Sequence, residues 1–127
     1  MVYKDYRVRE ETDKTIWNMD DAILRTIHEL KIAFITYMHL GDLENSYWIA
    51  RQIRMEIESK LKENEQKELE NKLKKLEEKR KDALIDKNDL TKRSNFYLTL
   101  ENFYISLNRY MKKYGFFFRE FEDLGGL

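Results

Sequence analysis

Two histidines, several short acidic pairs, a run of lysines and arginines, and a dense set of aromatic rings are the residues of this chain whose types could do chemistry. His39 and Asp42 straddle Gly41 and could meet, either as metal ligands or as a hydrogen bond at a helix end. With only two histidines and no cysteine, multi-histidine metal sites, thiolate zinc sites, cysteine-ligated iron–sulfur clusters, thiol catalysis and disulfides are all excluded, and the helix-end hydrogen bond is the expected role. His28 and Glu29 are sequential and point to different sides of any helix. Asp20 and Asp21 suit the positive first turn of a helix better than acid–base work. The chain holds no phosphate-binding glycine loop, no Gly-x-Ser-x-Gly elbow, no His-Glu-x-x-His helix and no Glu-x-x-His pair for an iron-carboxylate bundle. No enzyme, no metal and no cofactor is expected.

Basic residues offer a second chemistry, contact with nucleic-acid phosphate. Lys74, Lys75 and Arg80 lie in one charged stretch, and Arg109, Lys112 and Lys113 line the polar side of a later one. The whole chain balances 24 basic against 24 acidic side chains, whereas polyanion binders carry a clear basic excess. Acids such as Glu77 and Glu78 sit among these cations, so a solvated face is the preferred reading and a nucleic-acid-binding regulator the alternative. The short turn Leu40-Gly41-Asp42 invites comparison with a helix-turn-helix, and Arg51 and Arg54 follow it. Yet Trp48, Ile49 and Ile53 make that helix too apolar for a free recognition element.

Aromatic rings offer a third, recognition of another protein. Ten of the 17 lie between Phe96 and Phe121. Phe96, Phe103 and Tyr110 recur every seven residues, and Phe116, Phe117, Phe118 and Phe121 follow a glycine among charged neighbours. Aromatic anchors ringed by charge fit the centre of a protein interface. These seven are the candidate interface residues. The competing expectation is that the helical ones fill the chain's own core.

Positioning all of these falls to helices. Among 127 residues proline is absent, glycine occurs four times, and Ala, Glu, Lys, Leu and Arg supply 58. The length suits one domain with a core of its own. Asn18 can cap a first helix whose apolar face runs from Ile23 through Ile27, Leu30 and Phe34 to Met38, and Gly41 can end it. Asp42 caps a second, carrying Leu43, Tyr47, Ala50, Ile53, Ile57 and Leu61. The turn Leu40-Gly41-Asp42-Leu43-Glu44 resembles that of a tetratricopeptide-type hairpin, but over one turn only and with no second copy about 34 residues on.

Residues 60–81 hold nine basic and six acidic groups around a thin stripe of Leu69, Leu73 and Leu76. Asp86, Asn88 and Asp89 then mark a turn. Tyr97, Leu100, Tyr104, Leu107, Met111 and Tyr114 follow coiled-coil spacing as far as Gly115.

The prediction is an all-α antiparallel helical bundle of three to four helices, built from hairpins over about 19–61 and 62–114, with a long, charged, coiled-coil-like helix. An unbroken helix from Leu43 to Ile85 would reach roughly 65 Å. Either the chain breaks near Glu63–Gln66 and closes the bundle, or the surplus aromatic face packs on another chain. Residues 1–17 are expected to be an arm. No apolar run reaches the roughly 18–20 residues of a membrane span, and the opening residues lack a secretory pattern, so a cytoplasmic location without membrane contact is expected. A lysine-, isoleucine- and asparagine-rich composition of this kind is common in AT-rich viral or mobile-element genomes. The expected function is a non-catalytic interaction or assembly module, with a protein partner or a homo-oligomer of itself and nucleic acid unlikely.

Overall fold

The computed structural model describes residues 19–116. Four helices make up this stretch: α1 (Met19–His39), α2 (Leu43–Ile57), α3 (Glu63–Ile85) and α4 (Leu90–Lys113), with a short 3-10 turn at Glu58–Lys60. The arm, the expected Asn18 cap and the tail rings Phe117, Phe118 and Phe121 lie outside the described residues.

Local chemistry sets the helix ends. Gly41 takes φ +76°, and the amides of Gly41 and Asp42 turn back onto the carbonyls of Met38 and Tyr37. Only glycine adopts that left-handed conformation without a Cβ penalty. Asp42 then caps α2 by accepting from the Asn45 amide at 3.1 Å, while its second oxygen takes the Asn45 side-chain amide at 2.6 Å. Both oxygens go to Asn45, and no bond joins His39 to Asp42. Asp89 caps α4 through the amides of Thr91 and Lys92. Gly115 (φ +74°) ends α4 as Gly41 ends α1, with the Phe116 amide on the Met111 carbonyl.

α1 and α2 form one antiparallel hairpin, and α3 and α4 form the other. Between them the chain does break, five residues earlier than the spacing suggested. Leu61 turns extended (φ −81°, ψ 143°) and buries its side chain, and Gln66 donates to the carbonyls of Glu58 and Leu61. The helix therefore stops at Ile57, and α3 starts afresh at Glu63. This break lets α3 return along α2, so that Arg80 near the end of α3 meets Glu44 at the start of α2.

The core draws on every helix. α1 contributes Ile27 and Phe34; α2 contributes Leu43, Tyr47, Ala50, Ile53 and Ile57; α3 contributes Leu69, Leu73 and Leu76. α4 brings Phe96, Leu100, Phe103, Leu107, Tyr110 and Met111. Its buried seam is thus centred on the Phe96–Phe103–Tyr110 series, one residue away from the Tyr97–Tyr104 series. α4 touches three neighbours, which uses the breadth of the stripe: Phe34 of α1 stacks on Tyr104 with centroids 4.1 Å apart, and Tyr47 of α2 meets Phe96 at 6.4 Å. The aromatic face expected to await another chain is mostly consumed within this one. Tyr104 illustrates the cost. Its hydroxyl is buried with no hydrogen-bond partner among the described residues, and burial pushes its pKa above the ordinary phenol value.

Candidate functional site

Phe96, Phe103, Tyr110 and Phe116 face inward and are at most 6% exposed. Their expected role as interface anchors is therefore corrected. Each ring fills the chain's own core because α4 is enclosed on three sides, and Phe116 is carried back onto the bundle by the turn at Gly115.

The basic positions are likewise largely committed to carboxylates. Arg80 grips both oxygens of Glu44 through Nε and Nη2, and its guanidinium lies 4.8 Å above the Tyr47 ring. Glu44 also accepts from the indole of Trp48 at 3.0 Å. The Arg80 hydrogen bonds hold the Glu44 carboxyl below its usual pKa and raise that of Arg80. Arg109 donates to Glu68 at 2.7 Å, Lys113 to Glu65 at 2.6 Å, and Lys74 lies 3.9 Å from Glu70. Of the six candidate phosphate contacts, only Lys75 and Lys112 make no ion pair among the described residues. Lys75 and Arg109 come together in one groove between α3 and α4, while Arg80 lies apart beside α2.

Glu65 belongs to the charged stretch of α3, yet it is buried. It accepts the Lys62 amide at 2.8 Å as well as Lys113 and the Tyr114 hydroxyl, so it joins the start of α3 to the end of α4. No local signal announced this, since its side-chain partners lie 48 and 49 residues away. The hydrogen bonds from Lys113, then Tyr114, then the Lys62 amide hold its pKa at about 2 against an ordinary 4.5, outweighing the opposing effect of burial. A depressed carboxylate pKa stabilises the fold above the unfolded value and loses that contribution as pH falls through the folded value. The melting temperature is therefore expected to fall with Glu65 protonation between about pH 4.5 and 2, with Glu44 and Glu68 acting in the same direction. Glu65→Gln should flatten this acid slope in thermal melts across the window. A slope identical to that of the parent would show the latch to be unimportant.

At the end of the bundle where the two interhelical turns meet, the structure exposes what the aromatic pattern did not announce. Arg93 donates to the Gly41 carbonyl at 2.6 Å and ties the α1–α2 turn to α4. On one side of Arg93 is a concavity of about 460 Å³ walled by Leu43, Leu90, Tyr97 and Leu98; on the other is one of about 320 Å³ walled by Leu43, Ala83, Leu84 and Phe96. Leu40, Ile85 and Leu90 at this end are 73%, 81% and 76% exposed. Isolated apolar side chains on a surface need no explanation, but several gathered around adjoining hollows make this end the candidate site. Sequence periodicity could not flag them, because most lie at helix ends and turns.

No group of three or more His, Asp or Glu residues that could hold a metal occurs among the described residues, and no described helix is long and apolar enough to cross a membrane. No known protein family matches the chain, and neither does any curated protein or solved structure.

Proposed function

We propose that this chain is a non-catalytic assembly module that pairs with a second copy of itself through the end of the bundle formed by its two interhelical turns. The observation carrying this reading is the cluster of Leu40, Leu84, Ile85, Leu90, Tyr97 and Leu98 exposed around adjoining concavities. A second copy suits the surface because its rim alternates in sign: Lys87, Lys92 and Arg93 lie within seven residues of Asp86 and Asp89. Across a two-fold axis each patch meets itself, so the acids of one copy can face the bases of the other. Zero net charge adds no long-range repulsion between copies.

The test is sedimentation velocity over a concentration series. The parent chain is expected to shift from monomer to dimer as concentration rises. Leu90→Glu combined with Leu98→Glu removes two exposed leucines, each contributing about 1.5–3 kcal/mol when buried, and should weaken pairing at least about a hundredfold. The melting temperature of the dilute monomer should hardly change, because neither side chain belongs to the core. A parent chain that remains strictly monomeric at the highest concentration overturns the proposal.

A further inference from the structure

Midway along the α3–α4 hairpin lies a groove of about 250 Å³ that shares no residue with the concavities at the bundle end. Lys72 and Lys75 of α3 border it with Thr99, Asn102, Ser106 and Arg109 of α4, over the buried ring of Phe103. In a chain with as many acids as bases, no acidic residue among the described ones lines this groove.

Glu68 lies behind it and fixes the cations. It pairs with Lys72 at 3.2 Å and accepts from Arg109 at 2.7 Å, while the Tyr110 hydroxyl holds its other oxygen. Lys72 is further anchored by the hydroxyl of Ser106, which is itself buried. Two of the three cations are thus positioned in advance, so less side-chain entropy remains to be lost on binding. Lys75 makes no ion pair among the described residues and is available to a ligand. Among the described residues three cations stand against the one carboxylate behind them, an excess of two positive charges. Arg109 presents the planar donor fork that matches phosphate oxygens, and Asn102 adds a neutral donor.

From this arrangement we infer that the α3–α4 groove is a binding site for the dianionic phosphate group of a small phosphomonoester. A phosphodiester carries only one negative charge and leaves half of the excess unmatched. The proposal is independent of self-assembly at the bundle end.

Amide shifts of residues 99–109 in the full chain, followed by two-dimensional NMR at low salt, provide the test. Inorganic phosphate and phenyl phosphate are expected to shift these amides in the millimolar range or below, and dimethyl phosphate to bind at least about tenfold more weakly. Lys75→Ala, which disturbs no ion pair, should cost about tenfold in phosphate affinity. Affinity should also fall from about pH 7.5 to about pH 5.5, because the second pKa of a phosphate monoester lies near 6. The charged and titratable groups facing the ligand are Lys72, Lys75 and Arg109, with Glu68 and Tyr110 behind them, and no histidine is among the described residues that line the groove. Absence of shifts with millimolar phosphate overturns the site. Equal affinity for dimethyl phosphate overturns the dianion assignment and points to a nucleic-acid backbone instead. Binding unchanged by Lys75→Ala overturns the groove as its location.

Discussion

Phe103→Ala is expected to remove about 3–5 kcal/mol of stability. Its ring is fully buried at the centre of α4, and nothing nearby can refill the space without moving a whole helix. Against the roughly 5–15 kcal/mol that holds a domain together, this is enough to lower the melting temperature by more than about 10 °C. A thermal melt followed by circular dichroism measures it directly. Leu98→Ala, on the exposed side of the same helix, should stay within about 0.5 kcal/mol of the parent. The pair separates core from surface on α4. If Phe103→Ala melted within a degree or two of the parent, the assignment of the phenylalanine heptad to the core would fail.

Leu76→Ala should cost nearly as much, about 2–5 kcal/mol. α3 is the most charged helix of the bundle and commits only three leucines, Leu69, Leu73 and Leu76, to the core, two of them with no exposed surface. So thin a stripe leaves little apolar surface on its own helix to take over the lost contacts. Leu84, nearly half exposed on the same helix, provides the control: its alanine variant is expected to melt close to the parent. Urea denaturation should report the same contrast as a shift in midpoint at constant slope. A Leu76→Ala midpoint equal to that of Leu84→Ala would mean that the charged contacts, rather than the leucines, hold α3 in place.

The parts of this fold that were legible in the sequence are those set by neighbours a few residues away. Gly41, Asp42, Asp89 and Gly115 mark helix ends because a left-handed glycine or a capping carboxylate acts within one turn of chain. The apolar period of α2 survives in the structure for the same reason. Less legible was the break after Ile57. Glu58 to Lys62 contains neither glycine nor proline, and the extended turn at Leu61 is held by Gln66 and by burial of its own side chain. The orientation of α4 was ambiguous because two heptad series run side by side, and the choice between them depends on three packing partners. The ion pairs Arg80–Glu44, Arg109–Glu68 and Lys113–Glu65 bridge 36, 41 and 48 residues, distances over which no periodicity speaks. For the candidate site, sequence supplied Lys75 and Arg109 but neither Lys72 nor the Glu68 that orients two of the cations. The exposed leucines at the bundle end are not legible in the sequence because exposure at a helix terminus follows from which turns come to lie together.

The break at residues 58–62 also bears on how fast this molecule reaches its native state. Each hairpin closes over a turn of only a few residues, so the contacts within a hairpin carry little loop-closure entropy. The break keeps the tether between the hairpins short as well, and they meet at a high effective concentration. Native pairings are then mostly local in sequence, the regime in which helical proteins fold within microseconds to milliseconds. Had α2 and α3 formed one continuous rod, the aromatic face of α4 would have waited, exposed, for an encounter with another molecule. The five-residue interruption replaces that concentration-dependent step with an intramolecular one, and so shortens the time during which six large α4 side chains are open to aggregation.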